Sequence, residues 1–251
     1  MQVLYFLIGL TLWAACAGIP EPDARDVEAL YRAARLAYEK KEDMQAQKWL
    51  EIIRTQYPAS QYADDALFLL AELRFRREEY IMAAFLYQQL RQAYPQSVYA
   101  REALYKIGLS YIALSPPYDR DQEYTHKALQ ALMEFRYLYP ADSLLPEVER
   151  QVRRMRNKLA QREYSVAYLY RKLRSPEAAL IYYDTVLQQY TDTDFVELAW
   201  VGKIEVLVEL GRWYEAQQAV DTYRRLFPDG TQRKVVETLA AALTHGRGVP
   251  P

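Results

Sequence analysis

The chain has 251 residues, 51 % of them hydrophobic and 26 % charged, and its 8 Gly and 12 Pro make up about 8 % where roughly 12 % is usual. This composition excludes disordered, collagen-like and low-complexity classes and favours long helices. The 32 basic and 33 acidic residues, a net charge of −1, give no overall electrostatic case for nucleic acid, while two His and one Cys exclude an internal disulfide and a Cys/His metal cluster. No cofactor and no metal are expected.

In chain order, the first feature is an apolar run from Val3 to Ala15, with no charged side chain before Glu21. As a helix its 13 residues reach about 20 Å, short of the ~30 Å hydrocarbon core, so residues 1–15 read as an export signal. Ala14, Ala15, Cys16, Ala17 and Gly18 follow, and small residues before a cysteine resemble the bacterial lipoprotein signal, in which that cysteine is acylated. Trp13 and the uncharged Met1–Gln2 depart from the pattern, and Ala15-Cys16-Ala17 also satisfies the rule for cleavage after Ala17. Cys16 is the expected lipid attachment site, and 16–23 a tether.

A repeat follows. Tyr57-Pro58, Tyr94-Pro95, Tyr139-Pro140, Tyr190-Thr191 and Phe227-Pro228 each close an amphipathic stretch, at successive spacings of 37, 45, 51 and 37 residues. Twelve residues before each breaker stands Ala46, Ala83, Ala128, Ala179 or Ala216, and eight after the first four stand Ala66, Ala103, Val148 and Ala199. Small residues at fixed phase let helix backbones approach closely, and each proline biases the residue before it away from helix. The spacing predicts helices near 24–41 and 43–57, 61–77 and 79–94, 97–114 and 122–139, 144–173 and 175–190, 194–210 and 212–227, then a cap near 231–244. The loop Ser115–Gln122 and a lengthened first helix in the fourth pair account for the two long spacings. The pattern resembles the tetratricopeptide repeat. The expectation is therefore all-α: a right-handed α-solenoid of five tetratricopeptide-like helix pairs over 24–245, with repeats near 24–58, 59–95, 96–140, 141–191 and 192–228, a capping helix at 229–245 and a tail at 246–251.

Walker, G-x-S-x-G, H-E-x-x-H and C-x-x-C motifs do not occur in the sequence, so no enzyme is expected. His126 and His245 read as solvated. Asp64-Asp65 and Glu78-Glu79 read as complements to helix N-termini. Arg150, Arg153, Arg154 and Lys158 share a helix side, either to dock an acidic partner or lipid headgroup, or as a solvated face paired with Glu147 and Glu149. In tetratricopeptide register the first helix of each pair lines a concave groove. Its inward positions carry Tyr31, Arg35 and Tyr38, then Phe68, Phe75 and Arg76, then Tyr105 and Ile112, then Tyr164, Tyr168 and Arg171. Aromatics with guanidinium groups suit a peptide ending in a carboxylate, although several of them would also pack between repeats.

YPASQYADDALFLLAE, YPQSVYAREALYKIGLSY, the insertion YDRDQ before ALQALMEF, VRRMRNKLAQREYSVAYLYRK and PEAALIYYDTVLQQYTDT occur in the order found in the BamD family, and the similarity runs from Val27 to Phe227. That family is the lipoprotein component of the outer-membrane β-barrel assembly machine. The resemblance implies a periplasmic scaffold, lipid-anchored in the outer membrane. Its N-terminal repeats would engage the C-terminal segment of unfolded β-barrel proteins, its C-terminal repeats would dock on the periplasmic domains of a BamA-like barrel, and other assembly-complex lipoproteins would accompany it. The substrate groove would then hold Tyr31, Arg35, Tyr38, Phe68, Phe75 and Arg76. A periplasmic tetratricopeptide adaptor for a cell-wall or cell-division complex is the alternative.

Overall fold

A computed structural model describes residues 19–246, with side chains to Leu243. The signal at 1–15 and Cys16 lie outside the described residues, as does the tail beyond Gly246. Among the described residues the fold is all-α, with helices α1 (Val27–Glu39), α2 (Asp43–Gln56), α3 (Ala63–Arg76), α4 (Tyr80–Ala93), α5 (Ala100–Leu114), α6 (Glu123–Leu138), α7 (Leu145–Lys172), α8 (Pro176–Gln189), α9 (Val196–Glu209), α10 (Trp213–Leu226) and α11 (Arg233–Gly246). The chain divides into two compact units, one ending at Ser110 and one starting at Tyr111, so the boundary falls inside α5.

In the first unit α1 packs on α2, α2 on α3, and α3 on α4. In the second, α6 packs on α7, α7 on α8, α8 on α9 and α9 on α10, while α11 covers α9 and α10. Each unit is thus a stack of helix hairpins, as a helical repeat requires. All nine phase positions, Ala46, Ala66, Ala83, Ala103, Ala128, Val148, Ala179, Ala199 and Ala216, are fully buried. Gly202 on α9 extends this logic, and Gly230, in the turn before α11, is as tightly enclosed. A Cβ on Gly202 would stand 2.4 Å from the Tyr183 ring, and one on Gly230 would stand 2.5 Å from the Tyr223 hydroxyl.

Helix ends repeat as faithfully as helix cores. Tyr57, Tyr94, Tyr139, Tyr190 and Phe227 each donate a backbone N–H to the carbonyl four residues back, at 2.8–3.0 Å, with φ between −125° and −129°. A following proline biases four of these stops, and the rings of Tyr139 and Phe227 pack on Phe135 and Tyr223 of the preceding turn. Tyr190 makes the same stop without a following proline, and its carbonyl accepts the Thr193 hydroxyl at 2.8 Å. Four of the intra-pair turns are Schellman motifs: Lys41, Glu78, Arg174 and Gly211 have φ of 61°, 62°, 56° and 68°. The next N–H in each reaches back five residues, as from Glu42 to Ala37 at 2.8 Å. Glu78 is therefore a turn residue and not a helix N-terminal acid; only Glu79 stands at the start of α4, where it pairs with Arg74 at 2.6 Å.

The segment before α1 is strapped down. Glu21 accepts from Lys48 Nζ at 2.7 Å and from Trp49 Nε1 at 3.2 Å, both on α2. The Ala24 carbonyl accepts from the Tyr57 hydroxyl at 2.8 Å, and Asp26 caps α1 through the amides of Glu28 and Ala29.

Candidate groove in the first unit

Tyr31, Arg35 and Tyr38 fall at i, i+4 and i+7 on α1 and therefore share a face. Phe68 and Phe75 stand seven apart on α3, beside Arg76. The structure joins all but one of these six residues into a ladder that runs from α1 across α3 to the start of α5. Tyr31 stacks on Tyr62 at 4.7 Å and donates its hydroxyl to Asp65 at 2.9 Å. Tyr99, the residue before α5, donates to the same carboxylate oxygen at 2.7 Å and stacks on Phe68 at 4.4 Å. Lower on the ladder, Glu72 accepts from Lys106 at 2.8 Å and from the Tyr87 hydroxyl. Lys106 also lies 5.2 Å from the centre of the Phe75 ring, and Arg76 lies 4.5 Å over Tyr38.

The rungs have unequal freedom. Phe68 is only 8 % exposed and belongs to the core. Arg76 is committed to Asp43 on α2, and Arg77 approaches the same carboxylate at 3.5 Å. Arg35 is outside the ladder: its side chain is 63 % exposed and meets Glu39 one turn along α1 at 3.2 Å. Such an exposed pair contributes about 0–1 kcal/mol, so Arg35 exchanges partners at little cost, whereas Arg76 would have to give up a half-buried one. Burial, then the Asp65 hydrogen bond, pushes the Tyr31 hydroxyl up to about 12, and the same causes push Tyr99 up. Both tyrosines are hydrogen-bond donors at neutral pH.

Asp65, Tyr62, Tyr99, Glu72 and Lys106 were not among the residues that repeat register singled out. Their signal is a second spacing: Tyr31 to Asp65, Asp65 to Tyr99 and Glu72 to Lys106 are each 34 residues apart. Contacts between neighbouring first helices and the residue before the next one thus fall at 34, three short of the 37 that separates equivalent positions.

In the second unit the expected lining is equally engaged. Arg171 is held by Glu205 and Glu209, the latter at 2.8 Å. Tyr164 packs against Tyr183 and Phe195. Tyr168 borders a 570 Å³ cleft with Lys172, Arg174, Pro176 and Glu209. The basic run is largely paired, Arg150 with Glu147 and Arg153 with Asp194 at 3.3 Å. Lys158 instead donates to Ser115 Oγ at 2.7 Å and to the Pro116 carbonyl at 2.9 Å. It thereby closes the insertion loop, in which buried Gln122 donates to the Pro117 and Arg120 carbonyls. Burial lowers the affinity of Lys158 for its proton, and Arg154 adds to that effect. Among the described residues no group of three or more His, Cys, Asp or Glu is placed to hold a metal ion, and no helix is long and apolar enough to cross a membrane.

Several solved structures are similar. A tetratricopeptide repeat protein from Parabacteroides merdae is 15 % identical, with 86 % of this chain and 73 % of that chain covered and a TM-score of 0.38. A thermophilic tetratricopeptide-repeat protein of Thermus thermophilus is 16 % identical, over 87 % and 100 %, with a TM-score of 0.36. Pseudomonas aeruginosa PilF is 17 % identical, over 87 % and 83 %, with a TM-score of 0.34. No curated protein matches the chain. The family model described as "YfiO: Outer membrane lipoprotein" matches residues 23–223, which take in α1 to α9 whole and α10 as far as Tyr223, and leave out α11. With four-fifths of its length matched, the chain belongs to the YfiO family of outer membrane lipoproteins, the family of BamD.

Proposed function

We propose that this chain is a lipid-anchored scaffold on the periplasmic side of the outer membrane, carrying its acyl group on Cys16. It binds unfolded β-barrel proteins through the first unit and a BamA-like barrel protein through the second, and it works by binding without catalysis. The observation that supports this most is the α1–α3–α5 ladder with Arg35 beside it. A strand ending in an aromatic residue and a carboxylate finds ring faces on Tyr31, Tyr38 and Phe75, and finds its counter-charge on Arg35 more readily than on Arg76, which Asp43 already holds. Rigid aromatic side chains supply contact area at low entropic cost.

Photo-crosslinking tests this reading. A photoreactive residue at Tyr38 or Phe75 captures the C-terminal segment of a barrel protein, while one at Met44, which is 83 % exposed on α2, does not. Capture at Met44 and none at the ladder would refute the groove. Co-purification of a BamA-like barrel from solubilised outer membrane tests the second half, and its absence would favour an adaptor for another envelope complex.

A further inference from the structure

The outer faces of α2 and α4 expose apolar side chains, as do Ile181 and Tyr214 on α8 and α10, but with fewer acidic residues among them. Met44 and Ile81 occupy equivalent positions 37 residues apart, as do Lys48 and Phe85. Met44 is 83 % exposed, Ile81 56 %, Phe85 51 % and Met82 45 %. Equivalent residues of stacked repeats point the same way, apart from the small rotation per repeat, so these side chains form one exposed, apolar surface. It is also poor in negative charge. Helix α4, YIMAAFLYQQLRQA, contains no Asp or Glu at all. On α2, Asp43 is bound to Arg76 and Glu51 to Arg54. The corresponding helices of the second unit differ, with Glu177 and Asp184 on α8 and Glu215 and Asp221 on α10.

The strap decides what covers this surface. Glu21 is fastened to Lys48 and Trp49 on α2, and Ala24 to Tyr57 at the end of the same helix. Cys16 stands five positions before Glu21, a stretch that even fully extended spans no more than about 18 Å. An acyl chain on Cys16 would therefore hold the membrane surface within that distance of α2, on the side where Met44 and Lys48 stand. The headgroup layer on one side of a bilayer is itself about 5–8 Å deep.

We infer that the face carrying Met44, Lys48, Ile81 and Phe85 rests in the phospholipid headgroup layer, with the Glu21 strap setting that orientation. Apolar side chains, on helices whose own carboxylates Asp43 and Glu51 are held by Arg76 and Arg54 and whose Lys48 is held by Glu21, suit an interface that takes up apolar groups beneath phosphates. The inference rests on acylation of Cys16, proposed above. It leaves α1, with Arg35 and Tyr38, on a different helix from the one that meets the lipid.

The test uses the full-length chain in native membranes, with p-benzoylphenylalanine at Phe85, Ile81 or, as a control, Arg35, and mass spectrometry to read both phospholipid adducts and the acyl state of Cys16. Adducts at Phe85 and Ile81, several-fold above Arg35, are expected. Glu21→Ala, an exposed change that leaves Cys16 intact, should reduce the Phe85 adduct several-fold while acylation persists. An acylated chain with no lipid adduct at Phe85 and Ile81, or with equal adducts at all three sites, overturns the orientation and leaves the anchor standing. Capture of a protein at Phe85 in place of lipid overturns it in favour of a protein partner. An unmodified chain beginning at Gly18 overturns the anchor and the orientation together.

Discussion

Lys41 and Glu78 sit at φ of 61° and 62° in the same turn position that Gly211 fills at 68°. A left-handed backbone costs an L-residue about 1–2 kcal/mol, and glycine relieves that cost while giving back part of it through the greater freedom of its unfolded chain. Lys41→Gly and Glu78→Gly should therefore each stabilise the protein by about 0.5–1 kcal/mol. Gly211→Lys should cost a similar amount. Shifts in the midpoint of chemical denaturation, at unchanged slope, read both signs. No glycine in the sequence marks the turns at Lys41, Glu78 and Arg174, so they were not legible there; the hydrogen bond from Glu42 to Ala37 is what identifies the first. The buried alanines are the opposite case. Ala46, Ala83, Ala128, Ala179 and Ala216 stood out by phase alone, because steric exclusion at a close helix crossing leaves a mark on the residue type itself.

Helices were legible to within about three residues at each end, since the aromatic and breaker that stop them are local signals. Pairing between helices was less so. The 37-residue interval between breakers is what the eye finds, while Tyr31, Asp65 and Tyr99 meet at 34, and a polar contact between repeats leaves no composition signal. Glu197 on α9 is another such contact, and it governs how α11 is held. Its carboxylate accepts from the Tyr223 hydroxyl at 2.8 Å, the Thr231 hydroxyl at 2.9 Å and the Gln232 amide at 2.8 Å. Burial raises its proton affinity, but these donors outweigh burial and hold the group below the usual carboxylate range. A depressed folded value means that the stabilisation is present above the unfolded carboxylate value of about 4.3 and is lost as pH falls through the folded one. Glu197→Ala should loosen α11 by about 1–3 kcal/mol, the cost of leaving such donors without an acceptor. Hydrogen exchange in Val235–Leu243 should rise in that variant near neutral pH. In the wild type it should rise only as pH falls below the unfolded carboxylate value. Glu197→Gln, which keeps an oxygen acceptor and cannot titrate, should lack that acid-dependent increase; if it shows the same increase, another group is responsible.

The molecule as a whole carries 23 tyrosines, and many of them do structural work through their hydroxyls. Burial, then the Asp65 contacts, raises Tyr31 to about 12, and burial, then neighbouring Tyr164, raises Tyr183 to about 12. Tyr87, Tyr99 and Tyr223 are raised further, first by burial and then by the carboxylates they donate to, Glu72, Asp65 and Glu197. These residues occur in both units, so the consequence is global. A group whose folded value is raised contributes stability that is complete below the unfolded value, about 10 for tyrosine, and is lost as pH rises through the folded value. The fold should hold its helicity to about pH 10 and lose it over the next two units. Ionisation breaks a hydroxyl's donation to a carboxylate and leaves two negative charges facing each other, in the first unit at Asp65 and in the second at Glu197. Tyrosinate absorbance near 295 nm and helical circular dichroism at 222 nm, followed together in alkaline titration, should therefore show a tyrosine phase that coincides with the loss of helix. Tyr31→Phe should shift the midpoint little, because it removes a titrating group and one of the two donors to Asp65 at once. Tyr99→Phe removes the other donor and keeps the ring on Phe68, so it should behave alike. Complete tyrosine ionisation while the helical signal is intact would show that the hydroxyl–carboxylate ladder does not hold the repeats together.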